Sequence, residues 1–334
     1  MKSYWLSILL VGLFAFLQCV SPLAWAGTNQ WTSNGPDVGS ISALIIDPSN
    51  PGTVYAGTEG GGVYKSTNGG GNWSQANKGL LNTFVSTLSI DPSNPATLYE
   101  GTSGGVNKST DSGGSWNSAS AGLPSIFDAY TLAIDPSNPA TLYAATSGLG
   151  VYKSTNGGRS WSPANNGLPA IFARTLIIDP SSPDTLYAGT NEGVFKSING
   201  GGSWSSANNG LTVANISALV IDPSSPATLY AGTNTGVFKS TNGGGNWSPL
   251  NSGLPTTSVT ALAIDPSKPG HALCGNRGCG SIQVYQHGFY RMPVQLGGKK
   301  LFHPVGSSSF SYNGFESLHL SLLFGNPRLS AFPQ

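Results

Sequence analysis

The sequence predicts an all-β fold, a β-propeller of about six four-stranded blades. The string Ile-Asp-Pro-Ser recurs with its Asp at positions 47, 91, 135, 179, 222 and 265, a period of 43 or 44 residues. A second landmark, Ser-x-Asn/Asp-x-Gly-x-x-Trp, ends at Trp73, Trp116, Trp161, Trp204 and Trp247. Composition agrees: 9% of the residues are charged, while Gly numbers 46 and Pro 23. Such turn-rich chemistry excludes a helical bundle or a coiled coil. A formal net charge of +1 excludes a nucleic-acid surface and predicts no attraction to anionic lipid.

The first segment, Met1–Ala26, is read as a targeting signal and not as fold. It has a basic start at Lys2, an apolar run from Trp5 to Leu17, and Ala24-Trp25-Ala26 before Gly27. That is the pattern of a secretory signal peptide with an A-x-A cleavage site. A lipoprotein signal would need a small residue where Gln18 precedes Cys19, and the apolar run is short for a retained spanning helix. The mature protein is expected to be exported, periplasmic or extracellular, with no membrane contact after cleavage.

Residues 27–270 carry the repeats. A period of this length means that each unit buries its apolar face against its neighbours. In the fifth unit four β runs can be read: Ile216–Ile221, Thr228–Thr233, Gly236–Ser240 and Asn246–Pro249. Val, Ile, Leu, Tyr and Phe fill the first three, and Gly, Pro and Asn separate them. Asp222-Pro223 opens a turn, because Asp bonds its own backbone and Pro presets φ. A β-helix is the rival architecture, but its coils are shorter and lack this punctuation.

The second landmark fits a tight hairpin between third and fourth strands. Its Asn or Asp side chain caps backbone N–H groups, its glycines take positive φ, and its Trp packs across the blade. The positions concerned are Ser66, Asn68 and Trp73; Ser109, Asp111 and Trp116; Ser154, Asn156 and Trp161; Ser197, Asn199 and Trp204; and Ser240, Asn242 and Trp247. Asp111 stands where the other four have Asn. An Asx turn needs only the side-chain oxygen, so the exchange is expected to cost little.

These boxes resemble the Asp-box (BNR) repeat propellers. That group includes sialidases, xyloglucanases, sortilin-type receptors and the photosystem II stability and assembly factor. The resemblance covers Trp31 to about Asp265. It implies a propeller whose boxes are structural turns lying away from any active site.

Trp31 stands in the place of a fourth-strand Trp with no blade before it. An N-terminal strand there would complete the last blade and close the ring; the alternative is a solvent-facing Trp in a frayed terminus.

After Asp265 the pattern stops. All four His residues, Cys274, Cys279 and Met292 lie beyond Pro269, whereas Gly27–Gly270 has no His, Cys or Met. Domain boundaries ordinarily fall in linkers, not between two strands of a blade. Shifting the reading frame by one base over codons 271–288 permits TLYAGTEGAGVFKSTNTG, which matches Thr141–Gly158 at 13 of 18 places. Residues 271–334 are therefore read as an aberrant tail, an out-of-frame translation that is poorly ordered and leaves blade six incomplete. The alternative is a genuine C-terminal domain with Cys274 and Cys279 in an export-compatible disulfide. Two Cys and scattered His lack paired ligand spacing, so no metal site is expected. The charge divides at the same point: Gly27–Gly270 carries 9 basic and 13 acidic residues, a net of −4.

In an up-and-down blade alternate connections share a face. The Asp-Pro-Ser turns and the boxes therefore lie on one face, and the variable connections on the other. The variable stretches lie around Glu59, Ser103, Leu149, Glu192 and Thr235, and at Phe84, Ile126–Asp128, Ile171–Arg174, Val213–Asn215 and Thr256–Ser258. Loops that vary on a rigid scaffold are where a ligand surface diversifies.

The ligand-binding candidates are Glu59, Phe84, Phe127, Asp128, Phe172, Arg174 and Glu192. Phe84, Phe127 and Phe172 are read as equivalent positions that stack on sugar rings, bind a peptide, or plug the space between blades. Asp128 and Arg174 are read as an ion pair or as polar ligand contacts.

A sialidase needs an arginine triad, and the repeat region has only Arg159, in a box, and Arg174. Xyloglucanase-type hydrolysis needs two carboxylates. Glu59 falls where that family has its catalytic Asp, with Asp128 or Glu192 as partner, and is the one weak catalytic candidate. Ser-His-Asp and Cys-His chemistry are unavailable to a region without His or Cys. No dinucleotide or phosphate loop appears, and no cofactor is expected. The function expected is an exported, non-catalytic scaffold that binds a protein, peptide or glycan on its variable top face. A two-carboxylate glycoside hydrolase is the alternative.

Overall fold

The computed structural model describes residues 35–36, 40–125, 128–169, 172–212, 215–251 and 258–264, and the backbone of 272–276, 282–285 and 290–291. Blade one is β1 (Ile41–Ile46), β2 (Val54–Thr58), β3 (Gly62–Ser66) and β4 (Ser74–Gln75). Blade two is β5 (Val85–Ile90), β6 (Leu98–Thr102), β7 (Gly105–Ser109) and β8 (Asn117–Ser118). Blade three is β9 (Ala129–Ile134), β10 (Leu142–Thr146), β11 (Val151–Ser154) and β12 (Ser162–Pro163). Blade four is β13 (Ala173–Ile178), β14 (Leu186–Thr190), β15 (Gly193–Ser197) and β16 (Ser205–Ser206). Blade five is β17 (Ile216–Ile221), β18 (Leu229–Thr233), β19 (Gly236–Ser240) and β20 (Ser248–Pro249). The last sheet is β21 (Val259–Ile264), β22 (Ala272–Asn276), β23 (Ile282–Tyr285) and β24 (Tyr290–Arg291).

Each sheet is an antiparallel meander in chain order. The first strand of every blade lines a common axial cavity of about 240 Å³, so the blades radiate from one axis. Inner strands pack in sequence from β1 through β5, β9, β13 and β17 to β21. Among the described residues, β21 and β1 have no comparable packing. The N-terminal strand around Trp31 that was expected to close this seam lies outside the described residues.

The second strands carry the repeat Leu/Val-Tyr-Ala/Glu-Gly/Ala-Thr and are buried along their whole length. A strand covered on both faces reads as a continuous apolar run. Its Tyr packs forward onto the next blade. Tyr99, for example, joins one core with Leu142, Ala144, Tyr152 and Trp161. The fourth position is held small by the blade that follows. A Cβ on Gly57 would meet Val85 Cγ1 at 2.6 Å, and one on Gly232 would meet Val259 Cγ1 at 2.8 Å. Where blade three has Ala145, the facing residue of blade four is Ala173.

Adjacent blades are stapled by two recurring sets of hydrogen bonds. The box Trp of one blade donates Nε1–H backward to an alanine carbonyl: Trp116 to Ala76 at 2.7 Å, Trp161 to Ala119 at 2.7 Å, Trp204 to Ala164 at 2.8 Å and Trp247 to Ala207 at 2.8 Å. In the other direction, the second-strand Tyr hydroxyl and the third-strand Lys ammonium both donate to the carbonyl at the fourth box position of the next blade. Tyr143 and Lys153, for example, reach the Gly200 carbonyl at 3.1 and 2.8 Å.

The two faces divide as the repeat pattern predicts. Each box bonds the Asp-Pro turn beside it, for instance Gly157 N–H to Ala140 O and Gly200 N–H to Asp184 O, both 2.8 Å. On the opposite face, the hairpin between second and third strands bonds the residue entering the first strand. Examples are Ser147 N–H to Asp128 O at 3.1 Å and Asn191 N–H to Phe172 O at 3.3 Å.

The sixth sheet corrects one expectation. It was expected to be incomplete, yet it has four paired strands. The β21–β22 register, Ile264 opposite Ala272 and Val259 opposite Asn276, repeats that of Ile221 with Leu229 and Ile216 with Thr233. Ladder bonds are made by backbone, so the free edge of β21 pairs with the chain that follows whatever its side chains. The box is what this sheet lacks: residues 286–289 join β23 to β24, whereas residues 241–247 join β19 to β20.

Candidate functional site

The boxes have the geometry expected of caps. Ser109 Oγ donates to Asp111 Oδ1 at 2.8 Å and accepts Gly113 N–H at 2.9 Å, while Ser115 N–H and Oγ–H bond the two Asp111 oxygens at 2.8 and 2.7 Å. The hydrogen bonds from Ser115 and Ser109 hold the Asp111 carboxyl down at about 2. Ser112, with φ 58°, is the one non-glycine at positive φ among the described residues, and it occupies the place of Gly157, Gly200 and Gly243. The Ser109, Asp111 and Ser115 side chains are thus bonded within the turn, which leaves the ligand question to the other face.

On that face each first strand begins at the mouth of the axial cavity. Its second residue is Ser42, Ser86, Tyr130, Arg174, Ser217 or Thr260 in blades one to six. In blades one and five the serine is a strut: Ser42 Oγ donates to the Val85 carbonyl, and Ser217 Oγ to the Val259 carbonyl at 2.6 Å. Tyr130 and Arg174 replace that strut with long side chains that line the cavity. Among the described residues, Arg174 makes no ion pair and no hydrogen bond.

The residue before each first strand forms an outer rim. Phe84 is 60% exposed and Phe172 is 44% exposed. Asp128 holds the matching place in blade three, directly before β9. This corrects the sequence reading: Asp128, not Phe127, is the equivalent of Phe84 and Phe172. Phe127 precedes it by one residue and lies outside the described residues. A Phe-Asp pair at this point in the loop gives no periodic signal to separate the two; only the strand start sets the register. Burial raises the Asp128 carboxyl above its usual range, and no cation is among the causes. Asp128 and Arg174, on adjacent blades, form no ion pair among the described residues.

Two other candidates are joined through backbone. Glu59, exposed at the β2–β3 turn, forms an isolated antiparallel bridge with Phe84. Gly60 and Gly62 N–H add bonds to the Thr83 carbonyl at 3.0 and 2.9 Å. Glu192 is exposed in the corresponding hairpin of blade four, its N–H bonded to Thr190 Oγ1 at 3.0 Å. These hairpins are clamped by an asparagine that the sequence reading missed. Asn165 Oδ1 accepts Val151 N–H at 2.7 Å and Asn165 Nδ2–H bonds the Leu149 carbonyl at 3.0 Å; Asn77 and Asn208 do the same. Its signal is an Asn four residues after the box Trp, as at Asn77, Asn165, Asn208 and Asn251.

Sequence reading also passed over Tyr130 and Glu100. Glu100 is wholly buried on β6, where blades one, three, four and five have Ala56, Ala144, Ala188 and Ala231. Among the described residues no cluster of three or more His, Cys, Asp or Glu could hold a metal ion.

Six sheets meandering outward from one axis, with one variable face and one constant face, decide the architecture. The chain is a β-propeller. Residues 137–277 match the family described as the DUF6242 beta propeller domain. Among solved structures, the propeller is similar to an ancestral GH74 enzyme, with TM-score 0.63 and 23% identity, covering 76% of this chain and 37% of that one. It is similar to a Niastella koreensis GH74 enzyme, with TM-score 0.60 and 21% identity over 73% of this chain and 45% of that one. It also resembles YCF48 bound to D1 peptide, with TM-score 0.56 and 16% identity over 78% and 79%. The propeller spans less than half the length of either GH74 enzyme. No curated protein matches it.

Proposed function

We propose that the propeller, exported by its Met1–Ala26 signal, is a non-catalytic scaffold that binds a peptide segment of a protein partner at the variable mouth of the axial cavity. The observation that carries this is Arg174. A guanidinium lining a cavity with no acceptor among the described residues is suited to an acceptor brought by a ligand. Tyr130 lines the same cavity with a phenol, and Phe172, two residues before Arg174, holds an apolar ring in solvent. A carbonyl or carboxylate beside an apolar side chain, as peptides present, matches that set. YCF48, a propeller of the same fold, is seen with a peptide bound.

The test is a screen of the mature chain against peptide and glycan arrays, followed by calorimetry on the hits. Arg174→Ala and Phe172→Ala are each expected to weaken binding at least about tenfold, or about 1.4 kcal/mol, with folding unchanged. Hits that bind both variants as tightly as the parent overturn the reading.

The bridge between Glu59 and Phe84 favours a second reading, a glycoside hydrolase acting on a polysaccharide. It puts a solvent-facing carboxylate beside an exposed ring of the kind on which sugars stack. Polysaccharide hydrolysis by the mature chain, lost in Glu59→Gln, would establish it in place of the scaffold.

A further inference from the structure

We propose that Tyr230 and Lys239 form a socket for the carbonyl of a sixth Asp box, and that the gene encodes this box one base out of frame from codon 271. Five blades present a second-strand Tyr beneath a third-strand Lys, with Nζ 5.1–5.4 Å from the ring centroid: Tyr55–Lys65, Tyr99–Lys108, Tyr143–Lys153, Tyr187–Lys196 and Tyr230–Lys239. In the first four, both groups donate to one carbonyl of the next blade's box. The acceptors are Ser112, Gly157, Gly200 and Gly243, with Tyr Oη at 3.1–3.2 Å and Lys Nζ at 2.8–3.1 Å.

The fifth pair has the same geometry and, among the described residues, no acceptor. Tyr230 is 1% exposed, and its hydroxyl is buried without a hydrogen-bond partner. Lys239 likewise has no hydrogen bond among the described residues. A buried hydroxyl left unsatisfied is costly and uncommon, and here its four counterparts say what is missing. That acceptor is the backbone carbonyl of a positive-φ residue in a Ser-x-Asn-x-Gly turn.

The sequence after Trp247 holds no further Ser-x-Asn/Asp-x-Gly string. Its β23–β24 link is residues 286–289, and no Trp follows Trp247 to donate back across the blade boundary. The shifted frame permits the turn at the correct distance. TLYAGTEGAGVFKSTNTG carries Tyr and Lys at their blade places and ends in Ser-Thr-Asn-Thr-Gly. Its fourth box position is a non-glycine, as Ser112 is in blade two.

The test compares Tyr187→Phe with Tyr230→Phe by thermal unfolding, in this chain and in one whose frame is restored by a single base. In this chain, Tyr187→Phe is expected to lower the melting temperature and Tyr230→Phe to leave it unchanged or raise it. In the restored chain both are expected to lower it alike. An equal loss from the two variants in this chain, or no loss from Tyr230→Phe in the restored one, overturns the proposal. So does a gene whose next frame does not encode the repeat there, an outcome that holds even if the restored chain fails to fold.

Discussion

Glu100 Oε1 accepts a 2.6 Å hydrogen bond from Asn107 Nδ2–H across the β6–β7 pair, at the register where blades one, three, four and five set an alanine against an aromatic ring. The counterparts are Ala56 with Tyr64, Ala144 with Tyr152, Ala188 with Phe195 and Ala231 with Phe238. Glu100 Oε2 is buried without a partner, and burial pushes the carboxyl up from 4.5 to about 8, opposed by the Asn107 bond. The folded state thus holds a proton that the unfolded chain releases. The contribution of Glu100 to stability is greatest below about pH 4.5, is lost as pH rises from there through about 8, and is level above that. At about 1.4 kcal/mol per pKa unit, the fall amounts to several kcal/mol. Glu100→Ala with Asn107→Tyr, which restores the blade-three pair, is expected to flatten this slope and raise the melting temperature at pH 8. Melting curves at pH 5 and pH 8 check it; an undiminished slope in the double variant would assign the pH dependence to another group.

Trp161 carries a predictable share of the boundary between blades two and three. Its indole is 5% exposed and its Nε1–H bonds the Ala119 carbonyl at 2.7 Å. Trp161→Phe keeps most of the ring and is expected to cost about 1–3 kcal/mol, because a buried carbonyl loses its donor. Trp161→Ala adds a cavity and is expected to cost about 3–5 kcal/mol. Urea unfolding measures both, and equal costs would show that the hydrogen bond contributes nothing.

Asp111 tests whether the box needs a charge. In blade three, Asn156 Oδ1 accepts Ser160 N–H at 2.9 Å and Asn156 Nδ2–H bonds Ser160 Oγ at 2.8 Å, the same frame that Asp111 makes with Ser115. Asp111→Asn is therefore expected to leave the melting temperature at pH 7 nearly unchanged. Because the Asp111 carboxyl is held down at about 2, its contribution is present above its ordinary value of 3.8 and lost as pH falls through about 2. The Asn variant is expected to lose less stability than the parent between pH 4 and pH 2, read by circular dichroism at each pH. A variant that melts well below the parent at pH 7 would show that the charge is needed.

Gly189 marks how tightly the blades interlock. A Cβ there would meet Thr175 Cγ2 at 2.5 Å and Ile216 Cγ2 at 2.7 Å. Gly189→Ala is expected to destabilise by about 1–3 kcal/mol through overpacking. Adding Ile216→Ala, which recreates the small pair Ala145–Ala173 of the neighbouring interface, is expected to recover part of that loss. Chemical denaturation of the single and double variants decides it; no recovery would place the strain within blade four instead.

Much of this propeller is legible along the chain because its signals are local. Asp-Pro-Ser, the box and the alternating apolar runs each occupy fewer than ten residues, and their recurrence shows where each strand lies. Glu100 and Asn107 were visible as letters but carried no message, since nothing local says that strands β6 and β7 set them opposite one another. The sequence pairs Phe127 with Phe84 and Phe172, where the structure pairs Asp128, because the loop before each first strand has no periodic landmark. Tyr130 was passed over as one more strand residue.

By itself the sequence determined the repeat unit, its four strands, the chemistry of its turns and the break after Asp265. These depend on backbone preference and on contacts a few residues apart. Only the tertiary structure decided which side chains meet. It brought Arg174 and Tyr130 to one cavity, bridged Glu59 to Phe84, kept Asp128 from pairing with Arg174, and left the Tyr230 hydroxyl buried without a partner among the described residues. Those outcomes depend on how successive sheets turn about an axis, and that geometry is set by packing between blades.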